Sequence, residues 1–122
     1  MAENKQYITQ IRENGSVMIS EDVIAAIVIH AVNDVEGVVC LSVKPGADIA
    51  DLIGKKGWGK GVKVTISDED ELYIDCNVIV GYGQNVVSIA NQVQSAIADA
   101  VENMTGVVAK TVNVNVSGIL RQ

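Results

Sequence analysis

The sequence predicts a single α+β domain, built as a two-layer sandwich with two helices packed on one face of a mixed β-sheet. Two segments carry apolar residues at helical spacing, and several others alternate apolar with polar residues as half-buried strands do. Alternation leaves one sheet face polar, so we expect helices on the other face alone. The predicted order is strand, helix, strand, long loop, strand, strand, helix, strand.

The chain begins with a segment that shows no clear pattern. Its 122 residues suit one domain. We expect residues 1–14 to form a flexible N-terminal tail and residues 15–120 to form the domain. The first predicted strand is GSVMIS, at residues 15–20.

The first helix is predicted to begin after Ser20, whose side chain can cap its N-terminus. Glu21 and Asp22 then lie in the first turn, where negative charge is favourable. Apolar residues three and four apart continue to Val35, and Gly37 fits the left-handed position that ends many helices.

Three strands are predicted between the helices. VVCLSVK, at residues 38–44, is the first, and Pro45 and Gly46 stop it. GVKVTIS at residues 61–67 and LYIDCNVIVGYG at residues 72–83 follow, joined through the charged sequence DEDE. Because these two strands flank a short polar segment, they are expected to form a hairpin.

The second helix has the most regular apolar stripe in the chain. Asn85 can cap its N-terminus and Gly106 can end it. AKTVNVNVSGI, at residues 109–119, then alternates as a last strand. The stripe consists of Val86, Ile89, Ala90, Val93, Ile97, Ala100, Val101 and Met104.

Composition excludes some classes of protein. No apolar run reaches the roughly 18 residues that a membrane span needs, and residues 1–10 lack a signal-peptide core. We therefore expect a cytoplasmic protein without direct membrane insertion. Cys40 and Cys76 lack CxxC spacing and lie in apolar segments, so both are interpreted as reduced, buried packing residues. No metal site or cofactor is predicted.

The glycine-rich loop GKKGWGKG, from Gly54 to Gly61, resembles two nucleotide-related motifs. A Walker loop requires a following helix, whereas an alternating strand follows here, so phosphate binding of that kind is not predicted. A KH-like GxxG clamp for nucleic acid is the alternative that stays open. Lysines make the loop locally positive, and they are Lys55, Lys56, Lys60 and Lys63.

The rest of the chain does not favour nucleic acid as a partner. The formal net charge is −6, and few aromatic side chains are present to stack on bases. The loop is interpreted as a solvated connection in which Trp58 either folds onto the core or anchors a protein partner.

The outer face of the second helix predicts an interaction surface. Asn91, Gln94 and Ser95 lie on it, in a stretch without lysine or arginine. An amide-rich face of this kind suits a protein partner or another copy of the chain. No arrangement of nucleophile, base and acid is placed by the sequence, and a lone histidine, His30, does not supply one. The protein is therefore not predicted to be an enzyme.

Five segments carry a resemblance to a known family, and they are GSVMISEDVIAAI, EGVVCLSV, KGVKVTI, IDCNVIVGYGQNV and VQSAIADAVENMTGVVAKTVNVNVSGI. Together they resemble the alkaline shock protein family, also known as general-stress proteins of Gram-positive bacteria, in its short single-domain branch. The resemblance implies a small cytoplasmic α/β domain with no established enzymatic activity, catalytic residues or cofactor. It also implies a link to envelope or alkaline stress, to a small membrane-anchored partner protein, or to lipid metabolism.

The function expected from the sequence is that of a non-catalytic protein-interaction module. Its surfaces would be the second helix and the lysine loop. Its partner would be a membrane-anchored protein, a protein of lipid metabolism, or a second copy in a homo-oligomer.

Overall fold

The computed structural model describes residues 6–42 and 61–121. Its element order is the predicted one with one additional strand before it, so the α+β class is confirmed. The elements are β1 (Tyr7–Arg12), β2 (Gly15–Ser20), α1 (Glu21–Asn33), β3 (Val38–Leu41), β4 (Val62–Ile66), β5 (Leu72–Gly81), α2 (Val86–Thr105) and β6 (Thr111–Leu120).

The additional strand forms a separate two-stranded antiparallel sheet with β2. Residues 7–12, which the sequence analysis assigns to a flexible tail, form a strand in the structure. The chain reverses through a two-residue turn at Glu13 and Asn14, and Gly15 after it has a φ of 135°, a conformation that glycine adopts most readily. Ile8 is 2% exposed, and Gln10 Nε2 donates to the carbonyl oxygen of Thr105 at 2.8 Å, so the hairpin is attached to the rest of the domain.

The larger sheet is built around β5. β6 pairs with β5 in parallel along almost its whole length, and β3 and β4 pair with it antiparallel. The β4 partners lie in residues 72–76 of β5 and the β3 partners in residues 78–80. Since β6 occupies one side of β5 throughout, β3 and β4 lie end to end on its other side. The sheet is mixed, as predicted.

Asn77 marks the junction between β3 and β4. Its backbone N–H donates to the Gly61 carbonyl at 2.9 Å, and its carbonyl accepts from the Ser42 N–H at 3.0 Å. Gly61 has a φ of 82°, and a Cβ there would lie 2.5 Å from the Ser42 carbonyl oxygen. Only glycine fits this position, since it needs both a left-handed backbone and the close approach of another chain segment.

The helix caps follow the prediction with one exception. Ser20 accepts a hydrogen bond from the Val23 N–H at 3.3 Å at the start of α1. The helix ends at Asn33, earlier than predicted, with Asp34 in a right-handed conformation as its cap. Gly37 lies beyond the helix with a φ of 101°, a conformation that favours glycine, and a Cβ there would be 2.6 Å from Ile89 Cδ1 of α2.

The core lies between the two helices and one face of the larger sheet. Every second residue of β5 is buried on that face, as period-two alternation requires. The fully buried side chains are mainly β-branched aliphatics. The largest are Ile24, Ile66, Leu72, Ile74, Ile97, Val28, Val32, Val78, Val80, Val93 and Val101.

The two cysteines differ in environment. Cys76 is fully buried in β5, as predicted, and burial raises the pKa of its thiol to about 12, with a smaller contribution from Asp75. Cys40 is exposed, so the prediction that it is buried is wrong. It lies on β3 opposite Ile79, on the sheet face away from the helices, which its sequence of apolar neighbours did not indicate.

Candidate functional site

The outer face of α2 is held in place by caps at both ends. Asn85 Oδ1 accepts from the Ser88 N–H at 2.9 Å, and Gly106 ends the helix with a φ of 75°. Because the apolar stripe faces the sheet, residues one turn apart on the opposite side face outward. Asn91 and Ser95 are both exposed there, as predicted.

Gln94 has an intramolecular partner. Its Nε2 donates to the carbonyl oxygen of Val112 at 2.7 Å, which ties the middle of α2 to β6. The sequence placed Gln94 on the exposed face, and it is exposed, but its amide connects two elements of the same chain. This contact brings the outer face of α2 next to the outer side of β6.

β6 forms one edge of the larger sheet within the residues that the structure describes. Asn77 directs its backbone N–H and carbonyl groups to the β3 and β4 side of the sheet. Its register partner in β6 is Asn115. In a parallel pair, only one of two register partners directs its backbone groups toward the other strand, so Asn115 is the residue that bonds to β5. By alternation, Val112, Val114 and Val116 direct their backbone groups away from β5. The Gln94 contact agrees, because it reaches Val112 from outside the sheet.

The outward edge of β6 lacks charge. No residue of β6 is ionisable, and the side chains on its polar face are exposed at Thr111, Asn113, Asn115 and Ser117. Natural edge strands are commonly protected from pairing by lysine, proline or a bulge. Here the protection in the described residues is a bulge near Ser117 and the Gln94 contact, and none of those residues pairs with the outward backbone groups between these two points.

The polar face of the larger sheet is linked by side-chain hydrogen bonds. Asn113 Nδ2 donates to Asp75 Oδ1 at 2.9 Å, and the hydroxyls of Ser42 and Ser117 lie 2.8 Å apart. Asn77, on the same face of β5, is 1% exposed, and its Nδ2 has no hydrogen-bond partner. The face is thus polar and nearly neutral.

An ion pair lies at the end of the sheet where β5 and β6 begin. Lys110 Nζ lies 2.8 Å from Glu71 Oε2, and Tyr73 donates its hydroxyl proton to Glu71 Oε1 at 3.1 Å. The hydrogen bond from Lys110 lowers the pKa of Glu71, and Tyr73 lowers it further. The bond to Glu71 raises the pKa of Lys110 and of Tyr73. All three groups are at the surface, where such an ion pair contributes little to stability.

The predicted lysine loop is tested only at its end. Lys55, Lys56, Trp58 and Lys60 lie outside the described residues. Lys63 is exposed in β4, opposite Asp75 of β5. The two predicted surfaces, the α2 face and the loop, are therefore not shown to be one site.

The sequence interpretation missed an apolar surface on the β1–β2 hairpin. Tyr7 is 45% exposed, Ile11 88% and Met18 59%. Tyr7 and Ile11 lie on one face of β1, and Met18 is opposite Thr9 between them. The period-two spacing of Tyr7, Thr9 and Ile11 was the available signal, and the assignment of this segment as a tail concealed it.

Neither a metal site nor a membrane span is found in the described parts of the chain. No three His, Cys, Asp or Glu side chains in residues 6–42 and 61–121 are grouped closely enough to hold a metal ion. No described helix is both long enough and apolar enough to cross a bilayer.

Known proteins resemble this chain along most of its length. The Bacillus subtilis (strain 168) protein YqhY, which is uncharacterized, is 32% identical over 105 residues, 86% of this chain and 77% of the relative. The uncharacterized YloU of the same organism is 28% identical over 109 residues, 86% of this chain and 88% of the relative. The uncharacterized Spy1535 of Streptococcus pyogenes serotype M6 is 32% identical over 108 residues, 88% of this chain and 81% of the relative.

A solved MamM CTD structure covers 80% of this chain and 93% of its own, at 13% identity and a TM-score of 0.40, and this likeness carries no argument. A family model described as the ASP23 family, with a cell envelope-related function, matches residues 9–121 of the 122-residue chain. The resemblance found in the sequence is thereby confirmed: the chain belongs to this alkaline shock family, whose function is related to the cell envelope.

Proposed function

We propose that this chain is a non-catalytic protein-interaction module that serves the envelope-related function of its family. Its contact surface, called here the α2–β6 surface, consists of Asn91 and Ser95 on α2 and the outward edge of β6 at Val112, Val114 and Val116. The partner is a protein, either one located at the envelope or a second copy of the chain.

One observation carries the proposal: the α2–β6 surface lacks charge. Its helix residues Asn91 and Ser95 are exposed, the side chains of Val114 and Val116 are half-buried, and that of Val112 is buried. Residues 86–98 of α2 contain no ionisable side chain, and neither do residues 111–120 of β6. Charged residues make up 20% of the whole chain, and ordinary exposed surface is typically richer still. Depletion of charge at the centre of a surface patch is the compositional feature that distinguishes protein interfaces.

The Gln94–Val112 hydrogen bond supports the same proposal. It joins the helix face and the strand edge into one continuous surface, so a partner would contact both elements at once. A surface fixed by secondary structure and an internal bond loses little conformational freedom when a partner binds.

Affinity capture from the native cell tests the proposal. The tagged chain is compared with the double variant Asn91→Lys/Ser95→Lys, which adds charge to the centre of the surface without touching the bond of Gln94. We expect a protein, identified by mass spectrometry, to bind the unmodified chain and to be lost from the variant by about tenfold or more, because buried unpaired charge is costly.

The matched control is His30→Lys/Asn33→Lys, which adds the same groups to an exposed part of α1. This control should retain the protein. Each capture is repeated with nuclease. If the surface variant and the control capture equal amounts of the partner protein, the proposal is contradicted. It is also contradicted if nuclease abolishes capture of that protein by the unmodified chain.

A further inference from the structure

The outward edge of β6 has a sequence that reads nearly the same in both directions. Residues 111–117 are Thr-Val-Asn-Val-Asn-Val-Ser, symmetric about Val114 except that Thr stands at one end and Ser at the other. A two-fold interface requires that a surface be complementary to itself. When two such strands pair antiparallel about Val114, each residue of the segment 111–117 meets a residue of the same or a similar type.

The backbone groups of β6 have the same symmetry. Val112, Val114 and Val116 direct their N–H and carbonyl groups outward, because Asn77 bonds to the other side of the sheet and its register partner Asn115 bonds to β5. In an antiparallel pair centred on Val114, each Val114 faces its own copy as a hydrogen-bonded pair. Val112 then faces Val116 of the second copy, again as a hydrogen-bonded pair.

The side chains match in the same register. On the helix side of the sheet, valine meets valine. On the polar side, Asn113 meets Asn115, and Thr111 meets Ser117. Thr and Ser that face each other across strands can hydrogen-bond and stabilise a sheet, whereas like charges facing each other destabilise it. With no ionisable group in β6, this two-fold pairing brings no like charges together.

From these observations we propose that a second copy of this chain docks on the β6 edge, with the two β6 strands antiparallel about a two-fold axis at Val114, so that one sheet continues through both chains. The proposal deepens the proposed function, because it rests on the same α2–β6 surface and names its occupant.

The surrounding structure limits the pairing to this segment. The bulge near Ser117 changes the register at one end, and Lys110 is held by Glu71 at the other. A carbonyl oxygen has two lone pairs, so Val112 can accept from the second copy while Gln94 remains bonded. An axis perpendicular to the sheet keeps both α2 helices on the same face of the joined sheet.

Molar mass measured by light scattering across a concentration series tests the pairing. We expect twice the mass of one chain, falling to one at high dilution. Val114→Pro should raise the dimer dissociation constant by about tenfold or more, because it removes an N–H that each copy donates across the axis. The N–H of Val114 does not bond to β5, so an edge proline there should leave the monomer folded.

Ile119→Pro is the matched control. The bond from the Tyr82 N–H to the Leu120 carbonyl shows that residue 120 faces β5, so residue 119 faces outward beyond the paired segment. This variant should dimerise like the unmodified chain. A single-chain mass for the unmodified protein at every concentration would overturn the pairing, as would equal weakening by both prolines.

A cysteine at the axis gives a second measurement that does not depend on proline. In a Cys40→Ser background, Val114→Cys should form a disulfide-linked dimer on mild oxidation. A hydrogen-bonded antiparallel pair places its Cα atoms about 5.5 Å apart, within the disulfide range. Ile119→Cys, which does not face its own copy, should stay uncrosslinked. Equal crosslinking at both positions, or none at residue 114, would overturn the two-fold at Val114.

The two proposals fail separately. A chain that is always single but whose captured protein is lost with Asn91→Lys/Ser95→Lys overturns the pairing and retains the interaction module. A dimer that Val114→Pro disrupts, together with capture that the lysines do not alter, retains the pairing and contradicts the recruitment of another protein through α2.

Discussion

Individual side chains with similar sequence surroundings have different environments in this fold. Cys40 and Cys76 both lie in apolar strand segments, yet Cys40 is exposed and Cys76 is fully buried. The difference depends on which sheet face each occupies and on the strand beside it. Local sequence does not contain this information.

Thiol reactivity should separate the two cysteines. The thiolate is the reactive form, and burial raises the pKa of Cys76 to about 12, so Cys76 remains protonated and inaccessible at neutral pH. We expect a colorimetric thiol reagent to modify one cysteine quickly in the native protein and the second only after denaturation. Cys40→Ser should abolish the fast phase and Cys76→Ser should retain it. Rapid modification of two thiols per chain in the native protein would contradict this assignment.

Two glycines with left-handed backbones show how elements are terminated and joined. Gly106 ends α2 with a φ of 75°, and the nearest atom to a Cβ there would be Gln10 Nε2 at 3.7 Å, an ordinary contact. Gly61 begins β4 with a φ of 82°, and a Cβ there would lie 2.5 Å from the Ser42 carbonyl oxygen. Gly106 is therefore needed only for its left-handed backbone conformation. Gly61 is needed for that conformation and also because there is no room for a side chain.

Alanine substitution at each glycine should show that the loss of stability is larger at Gly61 than at Gly106. Gly106→Ala should lower the free energy of unfolding by about 1–2 kcal/mol, the cost of a left-handed residue with a side chain. Gly61→Ala should lower it by about 1–3 kcal/mol more, because the end of β3 must also move. Urea denaturation of both variants measures the difference. Equal losses would show that β3 and β4 do not meet as closely as the structure has them.

The elements that the sequence predicted best are those with local signals. Asn85 and Gly106 bound α2 as expected, and β4 and β5 surround the expected acidic turn. β1 was missed although Asn14-Gly15 is a turn signal, because its apolar residues include the adjacent pair Tyr7 and Ile8 and so do not alternate cleanly. Strand alternation is a weaker pattern in six residues than a helical stripe is in twenty.

The sequence shows the composition of the two parts of the candidate surface, but it does not show that these parts lie side by side. The lack of charge in residues 86–98 of α2 is visible in the sequence, and so is the palindrome of β6. The position of β6 at the edge of the sheet depends on strand order. Strand order is set by pairings between residues as far apart as Ile74 and Val112, so local sequence does not reveal it. The contact of Gln94 with Val112 is likewise non-local, and without it the helix face and the strand edge would not be recognised as neighbours.

At the scale of the whole molecule, the question is how firmly the hairpin sheet is attached to the larger sheet. A two-stranded hairpin alone is marginally stable in water, so it must gain stability from packing. Ile8 points inward at 2% exposure, while Ile11 on the opposite face is 88% exposed. Polar contacts hold the same strand, since the Thr9 N–H donates to Asp70 Oδ1 at 3.2 Å.

The two isoleucines form a matched pair of substitutions in one strand. Ile8→Ala should lower the free energy of unfolding by about 2–5 kcal/mol, because it leaves a cavity between the hairpin and the core. Ile11→Ala should change it by less than about 0.5 kcal/mol, as exposed substitutions usually do. Thermal and urea unfolding measure both. If Ile8→Ala is as mild as Ile11→Ala, the hairpin does not fold as part of the domain, and residues 7–12 contribute nothing to its stability.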